Sequence, residues 1–133
     1  MTGKFDIFIS WHHDCDREWA RKLSQGLKER GLSVWLDVEQ LKPGREWSRR
    51  LLEALEESSH VVFILGPGSA KSNAVALELG MALGQGKQII PVVDPNVSRD
   101  DIPGPIRRRH YLKKDDPQIV AEEIADALAA LKR

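Results

Sequence analysis

Five short apolar runs separated by helix-like segments constrain this chain more than any other feature. Phe5 to Ser10 (FDIFIS), Ser33 to Leu36 (SVWL), His60 to Leu65 (HVVFIL), Gln88 to Val93 (QIIPVV) and His110 to Leu112 each read as a strand. The first, third and fourth are apolar almost throughout, as expected where a parallel sheet is covered on both faces. Between them lie segments with helical spacing. Trp19, Leu23 and Leu27 recur at four-residue intervals after Asp16, a candidate cap, and Gly31 stops that helix. Trp47, Leu51, Ala54 and Leu55 line a second helix, and a third runs from Ser72, its candidate cap, past Glu78. The last opens at Asp116-Pro117 and buries Ile119, Val120, Ile124, Ala127, Leu128 and Leu131. Asp94 to Arg109 is irregular, with a helical turn near Ile106, and Pro91 is a weak point in the fourth strand.

Strand and helix in alternation predict an α/β, flavodoxin-like, doubly wound five-stranded parallel sheet with helices on both faces and strand order 2-1-3-4-5. In that order the ligand crevice lies outside the carboxyl ends of strands 1 and 3, where the winding reverses. Those ends are Ser10-Trp11-His12-His13 and Gly66-Pro67-Gly68-Ser69. The second runs directly into the segment Lys71 to Lys87, KSNAVALELGMALGQGK, whose one charge between the two lysines is Glu78. A helix apolar on nearly every side is buried on most of them, so a single carboxylate there is either desolvated beside a cavity or marks a narrow wet stripe. A structural ion pair is the other plain reading of Glu78.

The remaining composition narrows the functions. The 133 residues make one domain, 1–133, able to bury a core without disulfides. Lys+Arg and Asp+Glu are both 20, so no net charge draws the chain to nucleic acid or an anionic membrane. Arg107-Arg108-Arg109 and Lys113-Lys114, flanked by Asp100, Asp101, Asp115 and Asp116, read as a solvated rim open to a partner. One cysteine, no apolar run of membrane length and a strand that begins near the N-terminus lead to an expected cytoplasmic location without a signal peptide.

Several chemistries fail on the residues. A phosphorelay receiver needs an aspartate at the end of strand 3, where Gly66 stands, and a flavodoxin needs a Ser/Thr-rich loop in place of WHHDCD. Lys71-Ser72 ends like a Walker A loop, but Leu65 and Ala70 occupy its glycine positions. Adjacent His12 and His13 diverge, so no metal set is expected, and no G-x-S-x-G elbow is present. What is left suits a flat ring with a cationic centre: an aromatic to stack, and a carboxylate to hold a ribose hydroxyl and stabilise an oxocarbenium-like transition state. Two readings of Trp11 stand side by side, stacking platform and core or rim aromatic.

FDIFISWHHDCDREWARKL, GLSVWLDVEQLKPGREW, VVFILGPGSAKSNAVALELGMAL and GKQIIPVV, in this order, resemble the Toll/interleukin-1 receptor (TIR) domain, most of all its bacterial members. The resemblance implies cleavage of the nicotinamide–ribosyl bond of NAD, to ADP-ribose or a cyclised product, by a bacterial defence effector that self-association switches on. Glu78 matches the catalytic glutamate. Ser10, Trp11, His12, Asp37, Lys42, Gly44 and Ala74 fall at substrate-side positions, with NAD as substrate and neither metal nor cofactor required. Asp37 to Gly44 corresponds to the loop that shapes the nicotinamide-side pocket and packs on a neighbouring TIR domain, while Trp35 and Trp47 take core positions. One position departs: catalytic members commonly carry tryptophan four residues before the glutamate, and this chain has Ala74. The alternative function is a non-catalytic TIR–TIR interaction module.

Overall fold

The computed structural model describes residues 5–11, 16–36, 49–66, 73–102, 104–107 and 111–131; for 49–51, 73–78, 105, 107 and 131 it describes the backbone alone. The elements are β1 (Phe5–Ser10), α1 (Arg17–Glu29), β2 (Val34–Leu36), α2 (Arg49–Glu56), β3 (Ser58–Leu65), α3 (Asn73–Gly84), β4 (Gln88–Val93), α4 (Gly104–Arg107), β5 (Leu112–Lys113) and α5 (Pro117–Leu131). A 3-10 turn, Arg99–Asp101, precedes α4. The strands form one parallel sheet in the order β2-β1-β3-β4-β5, as the alternation predicts.

The two-residue period of a strand divides the apolar residues between two cores. Ile7 and Ile9 of β1, Val62 and Ile64 of β3 and Val92 of β4 face α1 and α5, meeting Ala20, Leu23, Leu27, Val120, Ile124 and Leu128. Phe8, Val61, Phe63, Leu65 and Val93 face the other way, toward Ala54 and Leu55 of α2, Leu79 and Ala82 of α3, and Ile106 of α4. Trp35 belongs to this second side, its ring stacked on Phe8 with centroids 5.0 Å apart. The rest of α1 is charged and exposed, which gives it a single apolar stripe. That stripe lets α1 press closely on α5: a Cβ added at Gly26 would stand 3.1 Å from Ala121 Cβ.

Two helices end by the same device. Gly31 (φ 84°) donates to Lys28 O and Leu32 to Leu27 O, closing α1 with paired backward hydrogen bonds. Gly86 (φ 72°) to Leu83 O and Lys87 to Ala82 O close α3 identically. Both glycines take the left-handed conformation that this motif requires, so the expectation for Gly31 holds.

Several features differ from the sequence reading, and on α5 it is Val120, Ala121, Ile124 and Leu128 that are buried, while Ile119 and Ala127 face solvent. β3 starts at Ser58, two residues before His60, because Ser58 is buried, pairs with Phe5 and donates its hydroxyl to Ala54 O at 2.6 Å. The β5 pairing includes Lys113. Asp16 stands at the N-cap of α1 but makes no side-chain cap, since its carboxylate is engaged elsewhere. Pro91 does not weaken the ladder to β3. Lys114 N–H donates to Val93 O and Asp94 N–H to Leu65 O, so odd positions of β4 turn toward β5. The donor that Pro91 lacks would therefore point to the β5 side, and β5 begins only at Leu112, opposite Val92.

Candidate functional site

In a parallel sheet every strand ends on the same edge, and the helix that follows starts there. The carboxyl ends of β1 and β3 lie side by side, with Ser10 in register with Phe63 and with Leu65-Gly66 continuing beyond. α3 begins at Asn73, seven residues after Gly66, and returns along the sheet with Leu79 and Ala82 packed on the second core. Glu78 is the sixth residue of α3, about 7 Å along the axis from its first. Ala74 and Glu78 are spaced i, i+4 and so share one face of that helix. The backbone thus brings position 78 close to the strand-1/strand-3 edge on the α2/α3 side of the sheet.

The residues of the β1 end are more enclosed than a crevice mouth would be. Ser10 is 3% exposed, and Trp11 is 5% exposed and packed with Ile9, Ala20, Leu23 and the α5 apolar residues on the opposite side of the sheet from α3. Of the two readings open for Trp11, core aromatic is the one its burial matches. His12, Asp37, Lys42 and Gly44 lie outside the described residues, as do Trp47, the candidate cap Ser72 and the 67–70 loop.

On the same edge stands a charged cluster that the linear pattern does not reveal. Lys114, just past β5, donates from Nζ to Asp16 Oδ1 at 2.6 Å and lies 3.9 Å from Asp94 Oδ2, just past β4. The Asp16 side chain is 1% exposed and that of Lys114 16%, so Lys114 is no part of a solvated rim. The ammonium also sits 5.4 Å from the Trp19 ring centroid, a cation–π distance. Trp19 in turn donates its indole N–H to Asp115 O at 2.8 Å. The signal that would have found these residues is topological: Asp94 and Lys114 each follow a strand end, and Asp16 opens the first helix after β1.

A second opening, an open groove of about 430 Å³, runs between α1 and the β2 edge and is lined by Arg21, Ser24, Gln25, Lys28 and β2. On the same helix the hydrogen bond from Arg21 holds the Glu18 carboxyl below its ordinary range and raises the guanidinium in turn. Both side chains are exposed to solvent, so this pair decorates the surface. Among the described residues, no group of three or more His, Cys, Asp or Glu could hold a metal, and no helix is long and apolar enough to cross a membrane.

Sheet order, layers and crevice position define the class, a flavodoxin-like doubly wound α/β domain. Within that class the chain belongs to the TIR domain family, whose profile matches residues 7–131. A curated relative, a 2′ cyclic ADP-D-ribose synthase of Bacteroides thetaiotaomicron, is 26% identical over 104 residues, covering 76% of this chain and 36% of the relative. Among solved structures, a TIR-STING receptor of C. gigas in complex with 2′,3′-cGAMP superposes with TM-score 0.75 at 24% identity, over 95% of this chain and 40% of that one. The TIR domain of a Toll-related receptor of Hydra magnipapillata gives 0.72 at 21% identity, covering 98% of this chain and 100% of its own. This chain therefore spans well under half of the enzyme it resembles.

Proposed function

We propose that this TIR domain cleaves the nicotinamide–ribosyl bond of NAD, with Glu78 as the catalytic residue. The observation that carries the reading is the position of Glu78 on α3, the helix that starts at the strand-1/strand-3 edge, in a family one of whose bacterial members is named a cyclic ADP-ribose synthase. The carboxylate holds a ribose hydroxyl and offsets the positive charge that grows on the ribosyl carbon as nicotinamide departs with the bonding electrons. Water captures that carbon and releases a proton to give ADP-ribose; capture by an oxygen or nitrogen of the same nucleotide gives a cyclised product. Ser10 borders the nucleotide from the β1 side, joined by His12, with Trp11 buried behind that edge against α1 and α5, and Asp37, Lys42 and Gly44 close the nicotinamide side. Metal and cofactor have no part in the step.

The biological setting in this proposal is bacterial defence in the cytoplasm, with activity switched on when TIR domains associate through the Asp37–Gly44 loop. One observation favours the other class of function: Ala74, one helical turn before Glu78, offers no ring to stack on nicotinamide. That residue suits an interaction module working by TIR–TIR contacts alone. The deciding experiment measures nicotinamide release from NAD with the domain clustered on beads, comparing wild type with Glu78→Gln. Turnover that vanishes in a folded Glu78→Gln protein establishes the enzyme; a clustered wild type without turnover leaves the interaction module.

A further inference from the structure

A nearly fully buried carboxylate paired with a lysine is an expensive arrangement. The desolvation of both charges commonly cancels their attraction, and apolar residues of similar size would serve stability as well or better. What such a pair supplies is a fixed distance between the elements that carry it. Here those elements are distant in sequence, Asp16 and Lys114 being 98 residues apart, and both stand on the edge of the sheet that holds the crevice.

The backbone around the pair extends the tie. Lys114 N–H donates to Val93 O, and Asp94, whose carboxylate faces the same ammonium, donates its own N–H to Leu65 O at 2.9 Å. Leu65 is the last residue of β3, from which the chain passes to α3 and Glu78. The start of α1 and the residues just past β4 and β5 thereby meet at one side chain, with β3 joined through the Asp94 backbone, and Trp19 under the ammonium and Asp115 beside it fix the start of α1 to the same point.

We infer that Lys114 is a positioning residue, its ammonium shared by Asp16 and Asp94 to hold the start of α1 and the ends of β4 and β5 together at the crevice edge. The part of this that concerns substrate rests on the NAD-cleaving reading; the mechanical part does not. Without the ammonium, Asp16 and Asp94 separate, and the start of α1 moves relative to the β3–α3 passage.

The test compares wild type, Lys114→Met and Lys114→Met/Asp16→Leu by amide hydrogen exchange, melting temperature and, where turnover exists, NAD kinetics. The single variant leaves a buried carboxylate unpaired and lowers the melting temperature; the double variant removes both charges and restores it. The expected result is that amides of residues 20–22, Asp94 and Lys114 exchange at least about tenfold faster in the double variant, with Val62 and Ile64 unchanged. The KM for NAD then rises about tenfold while kcat stays within about twofold, the pattern of lost uniform binding. Wild-type exchange in the double variant overturns the inference, since the pair would then only neutralise charge. Faster exchange with an unchanged KM in an active enzyme overturns the positioning role too. A clustered wild type that releases no nicotinamide defeats the NAD reading alone, and the exchange data still decide whether Lys114 fastens the edge. The double variant also serves if Lys114→Met fails to fold.

Discussion

The two sides of the sheet are built on different plans. On one, α1 buries Ala20, Leu23 and Leu27 through a single stripe with charge around it, α5 buries Val120, Ala121, Ile124 and Leu128 while Ile119 stays exposed, and a glycine lets the two helices touch. On the other, α3 carries apolar residues on nearly every side, yet among its described residues only Leu79 and Ala82 are buried, Met81 and Leu83 being half-covered. The first side, two long helices on one continuous core, is a scaffold. α3 differs in its sequence, apolar on nearly every side with Glu78 as its one charge. The contrast separates what holds the domain together from what it works with, and Glu78 falls on the second side.

That division can be broken most directly at Glu78. Glu78→Gln is expected to cut nicotinamide release by about 10²–10³-fold or more with no change in melting temperature, read by product assay beside a thermal scan. Leu23→Ala, on the scaffold side, should do the reverse. Removing a fully buried leucine costs about 2–5 kcal/mol in denaturant titration, while turnover per folded molecule stays at the wild-type level. A loss of turnover without a loss of stability there would mean that the sides are not distinct. Ala74→Trp sharpens the contrast by adding a ring one turn from Glu78. Base-on-aromatic stacking corresponds to a KM for NAD about tenfold lower, measured on the clustered domain. The smallest effect belongs to Glu18→Gln on the outer surface of α1. Because Arg21 lowers the Glu18 pKa, any stability the pair adds is present above the ordinary carboxylate range and lost as pH falls through the lowered value. For so exposed a pair the melting curves of variant and wild type should coincide from pH 4 to 8.

What could be read from the chain followed how local the cause was. Strand alternation, the glycine that ends α1 and the proline that opens α5 are decided within a few residues, and each stands where the sequence puts it. Ser58 was missed because a serine looks like loop until its hydroxyl finds the end of α2. Asp16 looks like a cap, and Lys114 like a rim charge, because nothing near either residue betrays the other. Trp11 shows the same limit at the site: its position at a strand end suggests a crevice, but its burial is decided by α1 and α5, which the local pattern does not place. The candidate site was legible as topology, in the order of strands and the helix bearing Glu78, and not as surroundings.

Among the described residues the two outer strands are short, three residues in β2 and two in β5. Such brief edges offer little backbone template for another sheet to extend, so this domain can be brought to high local concentration with small risk of growing into amyloid-like fibres.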